Sequence, residues 1–132
     1  MTGWPDIVLR MLLAVALSAA IGYEREVRGK VAGLRTHCLI GLGAATFTLA
    51  SVYGFGEAEM ARVAAGVVAG VGFIGGGVIF RGHGAGVSGL TTAASIWITS
   101  AVGLMAATGL TLGAIVVAVT TLIILELPKI QD

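Results

Sequence analysis

The fold is decided at residues 70–86, which read GVGFIGGGVIFRGHGAG. Three of these glycines have the G-x-G-x-x-G spacing of a dinucleotide-binding loop. Such a loop needs a strand before it, a helix after it and an acidic residue about 20 positions further on. Here the glycines lie inside an apolar run that begins at Val63, and no Asp or Glu follows before Glu126. The context argues against a nucleotide site and favours a membrane helix.

The composition of the whole chain points the same way. Of its 132 residues, 57% are hydrophobic and 11% are charged, and the mean hydropathy is +1.00. Apolar runs of roughly 18 or more residues indicate membrane helices, and such runs fill most of the sequence. The net charge of +1 is too small to indicate a nucleic-acid partner. The single cysteine, Cys38, excludes an intrachain disulfide and is expected to be a buried packing thiol.

We predict an all-α bundle of five transmembrane helices in one domain, residues 1–132. The predicted spans are about 7–23, 36–53, 63–80, 91–107 and 109–126. The last two are separated by a turn at 107–109, because the stretch without ionisable residues is too long for one span. The first span loosely resembles a signal peptide, but the basic segment directly behind it favours an uncleaved helix.

The basic residues predict the orientation of the bundle. Cytoplasmic loops carry an excess of Lys and Arg. With the N-terminus outside, the loop and tail residues on the cytoplasmic side are Arg25, Arg28, Lys30, Arg35, Arg81 and Lys129. Arg62 lies on the other side, and Arg10 lies within the first span, where it can snorkel outward or pair with Asp6 at i−4. We therefore predict a multi-pass protein with the N-terminus out and the C-terminus in.

The glycines of the third span predict close helix packing. In lipid, helices associate through backbone contact at small residues. The glycines at small-xxx-small spacing are Gly66, Gly70, Gly72 and Gly76. Their position on adjoining faces predicts a central helix, with small residues at 14, 18 and 22 and at 95, 99 and 103 as mates. Two alternatives stay open: glycine is simply common in membrane helices, or residues 75–77 interrupt the helix as in some transporters.

A self-comparison at an offset of 56 residues reveals a short repeat. The pattern R-x7-G-L-x-T occurs first at Arg25 and residues 33–36, and again at Arg81 and residues 89–92. Both copies fall in connections that are cytoplasmic in the predicted topology. The repeat predicts two hairpins in parallel orientation, with chance convergence on the same turn chemistry as the alternative.

Polar residues concentrate at the predicted cytoplasmic face. The candidate binding or interaction residues there are Glu24, Arg25, Arg28, Arg35, Thr36, Arg81, Thr91 and Thr92. A helix start beside arginines suits an anion, so Arg35, Arg81 and the start at Thr91–Thr92 are candidates to hold a phosphate, a lipid headgroup or an acidic segment. In the alternative interpretation the threonines cap helices, and the arginines mark topology and touch lipid phosphates.

The sequence offers little for metal binding, transport or catalysis. Glu24 and Glu26 carry oxygen ligands of the kind Mg²⁺ prefers, but two residues apart on a helix they point to different sides. Pairs with Arg28 and Lys30 at i+4 are the favoured interpretation. No acidic residue or histidine is expected at the membrane midplane, which weakens a coupled carrier. His83 stands alone on a glycine loop. We predict no metal site, no cofactor and no enzyme activity.

Four ordered motifs resemble the MgtC/SapB family over residues of about 9 to 126. They are IGYERE at 21–26, AGLRTH at 32–37, GFIGGGVIFR at 72–81 and GLTTAASIW at 89–97. The resemblance carries over the motif residues Glu24, Arg25, Gly33, Arg35, Thr36, Arg81, Thr91 and Thr92.

The resemblance implies a bacterial inner-membrane protein linked to growth at low magnesium and to survival inside macrophages. Early family members were taken for magnesium transporters, and the prototype is now viewed as a regulator of partners that include the F-type ATP synthase. The prototype also has a soluble C-terminal domain, whereas this sequence stops six residues after Glu126, so we expect the membrane module alone.

These expectations define three functions. The first is a regulatory or interaction module tied to magnesium limitation or envelope stress, and the main alternative is a transporter or channel for magnesium or another small solute. A third, a lipid-interacting structural module, fits the basic residues at the cytoplasmic face. A small bundle with small-residue faces left over is expected to self-associate as a homodimer or small homo-oligomer, in contact with lipid and with another membrane protein complex.

Overall fold

The computed structural model describes residues 3–80 and 87–128, and five α-helices lie within these ranges. The helices are α1 (Trp4–Val27), α2 (Leu34–Ala50), α3 (Met60–Phe80), α4 (Leu90–Ala107) and α5 (Thr111–Leu125). The described ranges contain no strand, which confirms the predicted all-α class. The four apolar helical segments long enough to cross a membrane are Trp4–Val27, Leu34–Phe55, Glu57–Ile79 and Leu90–Ala107. α5 has 15 residues.

Helix length follows from local sequence signals at both ends of α1. Pro5 and Asp6 occupy its first turn, where a missing N–H and a negative charge are both favourable. The helix ends at Val27, shortly before Gly29, whose φ of +68° suits glycine. The Lys30 N–H donates to the Arg25 carbonyl at 3.0 Å. The 24 residues of α1 span about 36 Å. The helix is therefore longer than a hydrocarbon core of about 30 Å.

The α4–α5 connection lies at the predicted turn. α4 ends at Ala107, and Gly109 has a φ of +86°. At this end of the bundle Arg10 donates from Nη1 to the Ala107 carbonyl at 2.9 Å, and its Nε lies 2.7 Å from the Asp6 carboxylate. The predicted Asp6–Arg10 pair is thus confirmed, and the same guanidinium satisfies a carbonyl that the end of α4 leaves without a helical partner.

α4 is the centre of the bundle. It packs against α1, α2, α3 and α5, and 56% of its apolar window is buried, against 17% for α3. The prediction that the third span lies centrally is therefore wrong. Its buried residues are mostly small or hydroxyl-bearing, namely Thr92, Ala93, Ser95, Ile96, Thr99, Ser100, Val102, Gly103, Ala106 and Ala107. Small side chains let four neighbours approach one helix, and hydroxyls such as Thr99 bond to carbonyls of their own helix.

Glycines on α1, α2 and α4 provide the close approaches inside the chain. A Cβ added at Gly103 would collide with the carbonyl oxygen of Gly41. One added at Gly41 would collide with the Ser18 side chain, and one added at Gly22 would lie 2.9 Å from the Cβ of His37. The small residues predicted as mates for α3 therefore pack instead on α2. This contact is the small-residue packing expected in lipid, made by different helices.

α3 packs on the rest of the chain through one face. Val67 and Val71 belong to a cluster with Ala44 and Ile96, and Gly75 lies against Ala93. The helix runs without interruption from Met60 to Phe80, so the proposed break at residues 75–77 is wrong. Among residues 3–80 and 87–128, no atom of another helix lies within 4 Å of a Cβ added at any of the four glycines predicted for packing: Gly66, Gly70, Gly72 and Gly76. Packing of these glycines against another chain stays a prediction.

The first two hairpins start their second helices alike. α2 follows Gly33 and α4 follows Gly89, the two glycines that the repeat pairs. Gly22 approaches Gly33, and Val78, 56 residues further on, approaches Gly89. The glycine conformations differ, with φ of −112° at Gly33 and +87° at Gly89, and Arg81 lies outside the described residues. The helix starts are structurally equivalent; duplication as their origin stays a prediction.

The two kinds of glycine respond differently to a methyl group. Gly103→Ala forces a Cβ onto the Gly41 backbone, which cannot give way, so we expect a loss of about 1–3 kcal/mol in the free energy of unfolding. Gly70→Ala, the matched control, places a methyl in open space and gains helix propensity, so its stability should stay equal or rise by up to about 1 kcal/mol. Unfolding in mixed micelles followed by circular dichroism measures both. Equal losses in both variants would contradict the assignment of faces.

Candidate functional site

One end of the bundle collects most of the residues that carry sequence motifs. Because the helices run alternately up and down, α1 and α5 end at this side and α2 and α4 begin there. We call it the motif end and define it by residues 24–28, 33–37, 89–95 and 126. It is the cytoplasmic end in the predicted topology.

A chain of charges links α1 to α5 at the motif end. The Glu24 carboxylate accepts from Arg25 at 2.6 and 3.0 Å and lies 3.4 Å from the Nε of Arg28. Arg28 in turn donates to Glu126 at 2.6 Å. The Arg25 side chain is only 4% exposed, so its charge is withdrawn from water and needs the Glu24 partner. The predicted Glu24–Arg28 pair is confirmed, and these residues stabilise the bundle end.

Glu26 makes a different contact from the one predicted. Its carboxylate accepts the backbone N–H of Leu34 at 2.9 Å, at the first residue of α2. The start of a helix leaves backbone N–H groups unpaired and favours negative charge, so Glu26 stabilises α2 from the end of α1. The predicted Glu26–Lys30 pair is wrong because α1 ends at Val27, before Lys30 can lie one turn above Glu26. A Cβ at Gly33 would meet this carboxylate and displace it, so the glycine leaves room for the contact between Glu26 and Leu34.

His37 joins α2 to α4 in the interior. Its side chain is fully buried, its Nδ1 lies 2.8 Å from the Gly33 carbonyl, and its Nε2 lies 3.0 Å from the Ser95 hydroxyl. The Ser95 hydroxyl also lies 2.7 Å from the Thr92 carbonyl. Two of the sequence motifs, AGLRTH and GLTTAASIW, are therefore held together through their His37 and Ser95 side chains.

The number of protons on His37 and Ser95 decides how many of these three contacts are hydrogen bonds at the same time. A carbonyl oxygen can only accept, so Nδ1 of His37 donates to Gly33. The single hydroxyl proton of Ser95 then goes either to Nε2 of His37 or to the Thr92 carbonyl. All three contacts are hydrogen bonds at once only when the ring carries a proton on each nitrogen. The neutral ring therefore leaves one of the two Ser95 contacts without a proton.

The remaining candidate residues are divided between surface and interior. Arg35 and Thr91 are exposed, Thr36 is half-buried and Thr92 is buried. Arg35 makes no ion pair with any residue in 3–80 or 87–128. The N-cap residues of α2 and α4 are Gly33 and Gly89, which have no side chain to accept a backbone N–H, so the prediction of threonine capping is wrong.

Two further candidates cannot be placed. Arg81 and His83 lie outside the described residues. The predicted anion site of Arg35, Arg81 and the Thr91–Thr92 start includes Arg81, so this site stays a prediction. Cys38, expected to be buried, is half-buried.

Glu24 and Glu26 engage different partners, as their spacing on α1 indicates. Within the described part of the chain, no group of three or more His, Cys, Asp or Glu side chains is placed to hold a metal ion. Sequence reasoning missed two members of the motif end, His37 and Glu126. A histidine in the first turn of an apolar helix was the available signal for His37, while the pairing of Glu126 with Arg28 across 98 residues has no local signal.

Comparison with known proteins supports a common origin for these motifs. The model of the MgtC family matches residues 11–131. The chain is 45% identical over 130 aligned positions to a protein of Escherichia coli K12 named "Putative magnesium transporter YhiD", with 92% of this chain and 60% of the relative covered. It is 46% identical over 97 positions to "Protein MgtC" of Brucella abortus, with 74% and 40% covered.

A further relative gives the same picture. "Protein MgtC" of Salmonella typhimurium is 43% identical over 102 positions, which cover 77% of this chain and 43% of that protein. The chain thus spans between 40% and 60% of the length of these relatives. No solved structure matches the chain.

The buried histidine gives a stability prediction. His37→Ala removes two hydrogen-bonding contacts and leaves a cavity between α2 and α4, so we expect the free energy of unfolding to fall by about 2–4 kcal/mol. Ser95→Ala removes one partner and should cost about 1 kcal/mol. The control Arg35→Ala changes an exposed side chain and should stay within about 0.5 kcal/mol of the wild type. Denaturation in mixed micelles compares the three, and a His37→Ala variant as stable as Arg35→Ala would refute the α2–α4 link.

Proposed function

The chain belongs to the MgtC family, and we propose that it is a non-enzymatic regulatory module that acts by binding other proteins within the bacterial inner membrane. Its orientation in this proposal is N-terminus out and C-terminus in, and its physiological setting is magnesium limitation or envelope stress. The sequence motifs, the exposed glycines of α3 and the exposed Arg35 support this proposal.

The observation that carries the proposal is the free face of α3. A glycine inside a helix costs about 1 kcal/mol relative to alanine, and this cost is offset where another backbone approaches closely. A Cβ added at Gly66, Gly70 or Gly77 would meet no atom of another helix within 4 Å in the described part of the chain, and Phe73 between them is 85% exposed. We call this surface the glycine face of α3. It has the composition of a helix–helix contact, and no described residue of its own chain packs on it.

Self-association uses this face most simply. Two copies related by a twofold axis would place their α3 helices against each other, so that the α3 helix of each copy covers the glycines of the other. The same surface would serve a helix of a regulatory target, so self-association and target binding compete in this proposal. The competition gives the module two states, one closed on itself and one bound to a partner.

The motif end supplies a second, polar contact. Most of its charges already have partners inside the chain, since Glu24, Arg25, Arg28 and Glu126 pair with one another. Arg35 is exposed and makes no ion pair with the described residues, so its charge is available to a partner. We assign Arg35, together with Arg81, to an anionic group on a partner or on a lipid phosphate.

Transport of magnesium or another small solute is the second candidate function. The observation that favours it is the name of the Escherichia coli relative, "Putative magnesium transporter YhiD". In this alternative the pore forms between copies of the chain, because the interior of one copy is closed by small side chains such as Ala45 and Ala106.

Two measurements on the full chain separate the proposals. Reconstituted protein should pass no more magnesium than empty vesicles, read with an entrapped magnesium-sensitive dye. Labelled chains should associate in the same vesicles, read by energy transfer. Gly70→Leu should reduce association at least tenfold because it fills the glycine face, while Ala20→Leu on the exposed side of α1 should not.

Arg35 is tested in cells against a matched arginine. Arg35→Ala should abolish the growth benefit at low magnesium while expression stays near normal. Arg62 lies at the opposite end of the bundle and its side chain is 83% exposed, so the control Arg62→Ala should retain the growth benefit. Magnesium flux that depends on Arg35 and not on Arg62 would establish transport and overturn the regulatory proposal. If cells with Arg35→Ala grew as well as the wild type at low magnesium, Arg35 would have no part in the regulatory proposal.

A further inference from the structure

Two cavities follow one another along the groove between α3 and α4. The end cavity, of about 230 Å³, lies where α2 ends, α3 begins and α4 ends. The inner cavity, of about 220 Å³, lies deeper in the bundle. Leu104 lines both, and the α3 lining advances by one turn, from Val63 and Ala64 to Val67 and Val68. The two cavities therefore lie end to end along α3 and α4 with Leu104 between them, and we call them together the α3–α4 groove.

Ser51, which lines the end cavity, has a buried hydroxyl with an unmade hydrogen bond. Ser51 is 1% exposed, and its Oγ has no hydrogen-bond partner among the described residues. Thr48 donates its hydroxyl proton to the Ala44 carbonyl at 2.7 Å, and Thr108 lies near two carbonyls of α4. The threonines thus retain only lone pairs, and Ser51 is the donor that the cavity offers. A buried hydroxyl left without a partner is unfavourable.

Backbone geometry marks the same place. Residues 51–55 form a π-helical turn at the end of α2, a feature that occurs frequently at functional sites in membrane and soluble helices. The turn begins at Ser51, so the widened backbone and the unpartnered hydroxyl coincide.

The inner cavity is apolar. Its lining residues are Val67, Val68, Trp97, Ser100, Ala101, Leu104 and Met105. The Ser100 hydroxyl donates to the carbonyl of Trp97 at 2.6 Å, so it presents no free proton. Neither cavity is lined by a charged side chain. The groove therefore suits a neutral chain with a hydrogen-bond acceptor at one end.

The length of the groove and its depth in the membrane match those of a lipid acyl chain. From Thr108 to Trp97 the groove follows α4 for about 16 Å, roughly half of a hydrocarbon core of about 30 Å. Each cavity is also smaller than the roughly 300–1,000 Å³ pocket of a drug-sized ligand. An acyl chain of one leaflet has this length, and its ester carbonyl lies near the end of the hydrocarbon core, where the helices end.

We propose that the α3–α4 groove binds one acyl chain of a glycerophospholipid, with the Ser51 hydroxyl donating to the ester carbonyl of that chain. The carbonyl supplies the acceptor that Ser51 lacks, and the methylene chain fills the apolar inner cavity. The bound lipid completes the packing of α3 on α4 on the side away from the glycine face. The site is independent of the regulatory function proposed above.

The test compares an ester lipid with its ether analogue. Native mass spectrometry of the detergent-solubilised full chain measures the binding of dioleoyl phosphatidylethanolamine and of the dialkyl ether lipid with the same headgroup. The wild type should bind the ester lipid about two- to tenfold more tightly, as one hydrogen bond contributes. Ser51→Ala should bind both lipids equally, at the level of the ether lipid. Ser18→Ala, which removes a buried and unpartnered hydroxyl of α1 outside the groove, should keep the preference.

A second pair of variants tests the chain-binding part of the groove. Ala101→Phe fills the inner cavity and should weaken binding of both lipids at least tenfold, while Ala16→Phe on the exposed side of α1 should not. Equal affinity of the wild type for ester and ether lipids overturns the proposal and leaves the Ser51 hydroxyl to water or to a second copy of the chain. This comparison needs no variant, so it holds even if Ala101→Phe fails to fold.

Discussion

The close contact of the α2 and α4 backbones at Gly41 and Gly103 is the constraint on which the rest of the bundle depends. Lipid tails are as apolar as leucine, so burial of apolar side chains does little to bring membrane helices together. Contact between backbones does, and it is available only where both helices carry small residues. Once α2 and α4 touch there, α1 packs on α2 through Ser18 and Gly22 and also contacts α4. α5 packs on the same cluster through Ala114 and Ala118.

The polar end of the bundle follows from this arrangement. With α2 held against α4, His37 and Ser95 are brought within 3.0 Å although 58 residues separate them. The end of α1 then lies over the start of α2, where Glu26 accepts the Leu34 N–H. Each polar group at this depth needs a partner within the protein, and the motif residues provide them for one another. Much of the motif set is therefore explained by the stability of the helix ends, and the exposed Arg35 is the member that this explanation does not use.

The sequence predicted the features that depend on local spacing. Apolar length predicted the helices, and the length of the stretch without ionisable residues predicted the turn at residues 107–109. The i,i+4 rule predicted the Asp6–Arg10 and Glu24–Arg28 pairs. It could not predict which helix is central. In a soluble protein the inward face of a helix is apolar and the outward face is polar, but in lipid both faces are apolar and the pattern has no direction. The many glycines of α3 therefore led to the prediction that α3 is central. The central helix is α4, which has one glycine and many hydroxyl side chains.

The two sets of glycines also explain why α3 differs from the other helices. Gly41 and Gly103 are covered by backbone of the same chain, whereas Gly66 and Gly70 on α3 have open space around them. α3 is held on α4 by Val67, Val71 and Gly75 along one face, with a groove beside that contact. Without a hydrophobic force between helices in lipid, the position of α3 depends on how well its neighbours fill the space around it. A lipid in the groove and a helix on the glycine face act on opposite sides of the same helix, so each would change the packing available to the other.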